Sequence, residues 1–404
     1  MPDAIQYELP GPWIAYDQQA IQRSLVNAKA SIKALTMIPF QRRWVEELQR
    51  IQLKMEISGT SQIEGAEFVG DELDAALEAE THAELMTRSQ RQANSALRAY
   101  EWVSEVPEDE PISVDLIRHL HRLVVTGCDD DHCEPGGLRR ADQNVTFGSP
   151  RHRGVSGGRP CAEALERLAK EVGTTFRGHD PLIQAIATHY HFAAMHPFLD
   201  GNGRTARALE ALMLQRAGLK DVLFVPMSNF YHDAKDDYLS KLAETRSHNH
   251  DLTPFLIFAL DGVEAEVSRL TKMLQHEVSK GMFRNFVNEL VVRLASTRMR
   301  VIIKRQLTLL GHLLDSDQDM DIPTLAQELS DHYKARKDPA AALVRDLARL
   351  DVLGAVKVRL VPNGEKRSIL VSVNLDWPRT MTETEFFRQV SELPKSKKYS
   401  LLTN

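Results

Sequence analysis

The chain has 404 residues, 43% of them hydrophobic and 26% charged, with a formal net charge of −6 at pH 7. That length supports two or three domains with sizeable cores. A balance so close to neutral argues against wholesale coating of nucleic acid or membrane, while permitting local basic patches.

No run reaches the roughly 18 apolar residues of a membrane span, and the opening "MPDAIQYELPGPW" lacks the basic-then-apolar form of a secretory signal. Three cysteines cannot all pair within one chain, so a reduced, cytoplasmic setting is expected. Pro10, Gly11 and Pro12 mark an extended lead-in. The pattern then turns helical: in "DQQAIQRSLVNAKASIKAL", Ile21, Leu25, Ala28, Ile32 and Leu35 share one face. The acidic, proline-bearing "VPEDEPISVD" (106–115) reads as a link to the next region. A helix should open near Ser113, with Gly127 available to end it. "CDDDHCE" gathers Cys128, His132 and Cys133, but at no common zinc spacing, so a polar loop is expected there.

In "RRADQNVTFGSPRHRGVSGGRP", Val145 and Phe147 alternate with polar neighbours before a run of glycines and prolines, which predicts a short hairpin or irregular loop. Helix returns in "DPLIQAIATHYHFAAMH", with Asp180 as cap and Pro181 in the first turn. Ile183, Ile186, Ala187, Tyr190 and Ala194 supply a buried stripe. His189 and His191 on this helix read as packed groups. A further helix follows, with Leu209, Leu212 and Met213 at i, i+3 and i+4.

From about residue 286 the rhythm changes. "RQLTLLGHLLD", "IPTLAQELSD" and "DPAAALVRDLARLDVLG" read as three short helices, and "AVKVRLVPNGEKRSILVSV" alternates with period two around an Asn-Gly turn. Helix, helix, helix, hairpin is a winged helix-turn-helix order. Arg345 and Arg349 would lie on its recognition helix, with Lys357, Arg359, Lys366 and Arg367 about the wing. Asp338, Asp346 and Asp351 interrupt that charge, so DNA binding and protein docking both remain open. The tail "LPKSKKYSLLTN" reads as loose.

The densest chemistry lies in "HPFLDGNGRTAR", residues 196 to 207. Pro197 disfavours helical geometry at His196, so the imidazole ends one helix and faces whatever the next turn surrounds. Gly201 and Gly203 flank Asn202 and allow positive φ, from which successive N–H groups can form an anion-binding nest. The next helix offers its N-terminus to the same space, and Arg204 and Arg207 sit on one face of its first turns. Two guanidinium forks beside a nest suit the phosphates of one polyphosphate. Asp200 would repel that anion unless a cation lies between, and one carboxylate plus phosphate oxygens is a usual way to hold Mg²⁺. His196 completes the set as a general base. These parts describe a phosphoryl- or nucleotidyl-transfer site.

This stretch resembles the signature of the Fic (filamentation induced by cAMP) family, H-x-F-x-[D/E]-G-N-G-R-x-x-R, at every defined position. The similarity runs from roughly residue 10 to 275. It implies a mainly α protein: a Fic-fold helical bundle with a short β-hairpin flap, followed here by the winged helix-turn-helix domain. The corresponding organisation is an N-terminal helical region over 1–108, a Fic core over 109–285 and the last domain over 286–404. The activity implied is protein AMPylation, the transfer of AMP from ATP to a Ser, Thr or Tyr hydroxyl of a target protein. In that reading His196 deprotonates the hydroxyl and Asp200 holds Mg²⁺. Gly201, Asn202 and Gly203 cradle the phosphates, while Arg204 and Arg207 clamp them. Phe198 packs.

"TSQIEG" resembles the family's inhibitory motif, [S/T]-x-x-x-E-[G/N], at Thr60, Glu64 and Gly65. Glu64 would pair with Arg207 and occupy the charge that the γ-phosphate needs. Ser61 and Glu64 also spell an ordinary capping box. Val145, Thr146, Phe147 and Gly148 fit the flap strand that docks a target by strand addition, followed by basic Arg151, His152 and Arg153. Tyr238 is followed by Leu239 where relatives often have a second tyrosine. Self-modification, a homodimer and DNA are further possible partners; a membrane is not expected. The alternatives are removal of AMP or transfer of another phosphate-containing group at the same site, and a DNA-binding regulator that senses nucleotide.

Overall fold

A computed structural model describes residues 5–39, 41–81, 84–148, 150–219, 225–296, 304–363 and 366–392. The chain divides into two compact units, residues 1–274 and 275–404.

The first unit opens with α1 (Gln18–Thr36), whose start Asp17 caps by accepting from the N–H groups of Gln19 and Ala20 at 2.8 and 3.1 Å. Its predicted apolar face turns inward: Ile21, Ala28 and Leu35 are buried, and Leu25 and Ile32 pack against the same core. There follow α2 (Arg42–Ile63), α3 (Glu72–Glu78), α4 (Arg88–Glu105) and α5 (Val114–Val125), the last capped by the Ser113 hydroxyl. After α6 (Arg159–Gly173) come α7 (Pro181–Met195), α8 (Asn202–Leu214), α9 (Met227–Asp233), α10 (Lys235–Ser247) and α11 (Thr253–Ser296). Residues on both sides of position 108 share one core, and the expected division near 285 lies within α11.

Asp180 caps α7 through Leu182 N–H at 3.0 Å. The helix is not merely striped: every side chain from Leu182 to Met195 except Gln184 is buried, because α6, α8 and α10 all pack on it. Its histidines are consumed by neighbours. His189 bridges Glu210 Oε2 (2.8 Å) and the Tyr238 hydroxyl (2.9 Å), and His191 meets the Trp13 carbonyl at 2.5 Å.

The flap is a hairpin of β2 (Thr146–Phe147) and β3 (His152–Arg153). The N-terminal strand β1 (Ile5–Gln6) pairs in parallel with β3, giving the order β1-β3-β2. Arg151 and Arg153 are exposed, but His152 is buried and pushed down to about 4 by that burial, so it is no part of a basic surface.

The second unit runs α12 (Lys304–Ser316), β4 (Met320–Asp321), α13 (Ile322–Glu328), α14 (Ser330–Tyr333) and α15 (Pro339–Val352). A hairpin of β5 (Val356–Asn363) and β6 (Lys366–Val373) follows, then α16 (Trp377–Thr380) and α17 (Glu383–Glu392). β4 joins the hairpin in the order β4-β6-β5. The expected loose tail, Gly364 of the Asn-Gly turn, and the side chains of Lys366 and Arg367 lie outside the described residues. Asp346 does not interrupt the surface charge of α15. It is buried, taking hydrogen bonds from Arg305 Nε (2.6 Å), the Tyr333 hydroxyl (3.1 Å) and Gln306 Nε2 (3.2 Å).

Candidate active site

The site forms where α7 stops and α8 starts. His196 is the C-cap of α7 with φ 53°, a left-handed conformation that a non-glycine residue adopts at a cost. Pro197 prevents the helix from continuing. His196 Nδ1 lies 2.9 Å from the Ala193 carbonyl. A carbonyl can only accept, so Nδ1 carries the proton and Nε2 of the neutral ring keeps a free lone pair. Burial, reinforced by Arg139, pushes the imidazole down to about 4, which keeps it neutral at pH 7. Phe147 of the flap stacks on it with ring centroids 4.0 Å apart.

The turn between the helices is pinned from inside. Asn202 does not face outward. Its Oδ1 accepts from Phe198 N–H and its Nδ2 donates to the Phe198 carbonyl, both at 2.9 Å. Gly201 has φ 72°, and a Cβ there would lie 2.5 Å from Val125 Cγ1. Gly203 uses no positive φ. It is needed for space, since a Cβ would strike Glu64 Oε1 and come within 3.1 Å of Arg207 Nη1. Phe198 is buried and stacks on His121 at 3.6 Å.

The two arginines are held in different ways. Arg204 is buried against Asp129, with Nη2 2.6 Å from Oδ2, and lies 3.7 Å from Asp200 Oδ1. Arg207 donates through Nε to Thr60 Oγ1 (2.9 Å) and through Nη2 to both the Thr60 carbonyl (3.1 Å) and Glu64 Oε1 (2.7 Å). Burial would raise the Glu64 pKa, but Arg207 first and Arg204 second outweigh it and hold the carboxyl below its usual range. The Ser61-to-Glu64 stretch is no N-terminal capping box, because Glu64 is the C-cap of α2 and Ser61 is buried in its last turn. Asp200 remains 38% exposed at its side chain and accepts from Gly201 N–H at 2.6 Å.

Residues 111–214 match the model of the Fic/DOC family. That segment is similar to Fic/DOC family members. "Protein adenylyltransferase Fic" of Nematostella vectensis is 29% identical over 213 residues, 52% of this chain and 40% of that protein. "Protein adenylyltransferase fic-1" of Caenorhabditis elegans is 30% identical over 165 residues, 40% of this chain and 29% of that protein. The chain thus spans well under half the length of these curated relatives. Among solved structures, Fic-1 from C. elegans superposes with a TM-score of 0.54 at 21% identity, covering 64% of this chain and 74% of that one. A Fic family protein from Desulfovibrio desulfuricans G20 gives 0.53 at 18% identity over 91% and 98% of the two chains. The fold is that of Fic proteins.

Several residues about the Fic motif carry no mark in the sequence. Asp129, inside the "CDDDHCE" loop, bridges two guanidiniums. Arg204 takes one oxygen, and Arg88 of α4 takes the other through Nη2 and through Nε at 2.9 Å. Arg88 also faces Asp200 Oδ2 at 3.7 Å. His121 Nδ1 accepts from Gly136 N–H (2.9 Å), so its Nε2 donates to the Asp200 carbonyl at 3.0 Å and fixes the turn. Arg139, also buried, donates to the carbonyls of His196 (2.7 Å), Gln143 (2.9 Å) and Val155, tying the flap's base to the His196 backbone. None has a telling spacing along the chain.

Proposed function

We propose that this chain is a protein adenylyltransferase that its own α2 holds inactive. The observation that carries the reading is the free Nε2 of His196, fixed in tautomer by the Ala193 carbonyl at 2.9 Å and set beside the Gly201 turn and two buried arginines. A phosphate-binding sensor needs the arginines but not the base.

In this mechanism His196 Nε2 takes the proton of a Ser, Thr or Tyr hydroxyl on the target protein. The resulting oxygen attacks the α-phosphorus of ATP, the bond to the bridging oxygen breaks, and pyrophosphate leaves. Asp200 would hold Mg²⁺. Its partly exposed carboxylate is a single protein ligand, which suits an ion that keeps waters and takes its other oxygens from phosphate. Bound there, the ion would neutralise charge on the phosphates. Gly201, Asn202 and Gly203 shape the turn that receives them, and Arg204 and Arg207 supply the facing positive charge. With Arg207 committed to Glu64 and Thr60, the γ-phosphate has lost its clamp, so α2 holds the enzyme off. The target docks along β2, whose outer edge is open while β1 covers that of β3. Val145, Thr146, Phe147 and Gly148 line that edge.

Glu64 keeps a 34%-exposed side chain on the pocket, which favours a second reading in which it orients water and AMP is removed from a modified protein. Incubation with α-labelled ATP and Mg²⁺ separates them. Label should reach protein with Glu64→Gly and vanish with Glu64→Gly/His196→Ala. Loss of pre-installed label from wild type, without any transfer by Glu64→Gly, would replace transfer by removal.

We read the second unit as a winged helix-turn-helix. Arg345 and Arg349 are exposed on α15, whereas Lys357 and Arg359 are paired with Asp376 and Asp319. DNA is a candidate partner through α15, and a steep loss of duplex binding with salt is the test. No described helix is long and apolar enough to cross a membrane, and a cytoplasmic setting fits three buried, unpaired cysteines.

A further inference from the structure

Two turns before Glu64, α2 carries a second acid that the proposed mechanism does not use. Glu56 is 1% exposed, among the most deeply buried charged groups of the chain. Its Oε1 accepts from the Tyr100 hydroxyl of α4 at 2.6 Å and from the Ser228 hydroxyl, and its Oε2 accepts from Ser228 N–H of α9 at 2.8 Å. Three donors from two other helices thus converge on one carboxylate. A buried acid so fully satisfied locks the register of the element that carries it.

Glu56, Thr60 and Glu64 recur every four residues. At 100° per residue they fall within about 80° of one helical face, spread over about 12 Å. Between them, Gly59 lets the backbones of α2 and α9 touch: a Cβ there would lie 2.5 Å from the Ser228 carbonyl oxygen and 2.7 Å from Asn229 N. The same face therefore has a carboxylate anchored on α4 and α9, a backbone contact, and then the groups that grip Arg207.

We infer that Glu56 is a positioning residue, the anchor that fixes the rotation and height of α2 so that Thr60 and Glu64 reach Arg207, and that α2 is released when this anchor is lost. The inference rests on reading Glu64 as the inhibitory group. Its physical reason is leverage. Glu64 is the C-cap, one position past the last residue of its helix, and its side chain is about one-third exposed, which weakens its hold on Arg207. A register set two turns earlier by a buried carboxylate makes that pair persistent.

The test uses the full chain. Tyr100→Phe and Ser228→Ala each remove one hydroxyl from Glu56 without touching α2, and Glu56→Ala removes the anchor itself. Amide hydrogen exchange over residues 57–64 should accelerate about tenfold in either hydroxyl variant, the upper worth of one ordinary hydrogen bond. Amides of α7 should exchange as before. AMP transfer from α-labelled ATP should rise by a similar factor, and should not rise further when the same substitutions are added to Glu64→Gly. Unchanged exchange over 57–64 in both hydroxyl variants would overturn the anchor. So would an equal change of activity with and without Glu64, the mark of a general packing defect. Should Glu64→Gly itself transfer no AMP, the adenylyltransfer reading fails while the exchange data still decide the anchor.

Discussion

Removal of Asp129 tests a contact at the site whose energy follows directly from burial. Asp129 has no exposed side-chain surface and Arg204 has 3%. Arg88, the other partner, is half exposed and adds little. In Asp129→Ala the buried guanidinium loses its counter-ion at 2.6 Å and keeps Asp200 at 3.7 Å, which approaches the cost of an unpaired buried charge, about 3–5 kcal/mol. Each kcal/mol moves the midpoint of a unit this large by roughly 2–4 °C, so differential scanning calorimetry should show the first unit melting about 10 °C lower at pH 7. The pH dependence gives a second handle. Burial works to raise the Asp129 pKa, but Arg204 and then Arg88 overcome it and hold the carboxyl below its usual range. A depressed acid contributes stability above its unfolded pKa and loses it as pH falls through the folded one. The gap between wild type and Asp129→Ala should therefore narrow below about pH 4. A midpoint within 2 °C of wild type at neutral pH, or a gap that does not change with acid, would refute the bridging role.

Other outcomes follow from the same geometry. Glu64→Gly frees Arg207 from a charge-assisted bond of 2.7 Å, and AMP transfer should rise about tenfold, discounted for the partial exposure of the acid; label on protein measures it. Burial, only partly offset by Ser228, Tyr100 and Arg207, raises Glu56 to about 7, with Tyr231 the other titratable group facing it. The anchored state then binds a proton that the released helix would not, so repression should weaken as pH rises from about 4.5 to about 7. Glu56→Gln, neutral throughout, should flatten the ratio of wild-type to Glu64→Gly activity over that range. Phe147→Ala removes the ring stacked on His196; in the Glu64→Gly background kcat/KM for the target should fall about tenfold with the KM for ATP unchanged. A raised KM for ATP instead would move Phe147 to the nucleotide's side of the site.

The motif residues were legible because their chemistry is local. A proline ends one helix, a glycine turn follows, and a second helix begins within a dozen positions, so His196, Asp200, Arg204 and Arg207 have to share one small space. The same locality misled at Gly203. Gly203, expected to use positive φ, has ordinary helical φ and clears room for Glu64, and the Asn202 side chain turns inward to Phe198. At α7 the expected stripe proved too narrow, because periodicity shows which face is apolar but not how many neighbours will cover the rest. Asp346 looked like an interruption of a basic face until α12 and α14 covered it.

What the amino-acid order determined alone was the clustering of His196, Asp200, Arg204 and Arg207 and the alternation of helices around it, since caps, glycines and short spacings act between near neighbours. Tertiary structure decided what meets that cluster. Thr60 meets Arg207 across 147 positions, Glu64 across 143, and Glu56 meets Ser228 across 172. Asp129, Arg88, His121 and Arg139 are drawn to the site by the packing of α4, α5 and the flap's base on the motif helices. Spacing along the chain says nothing of such approaches; only the close packing of helices that bury each other's faces sets them.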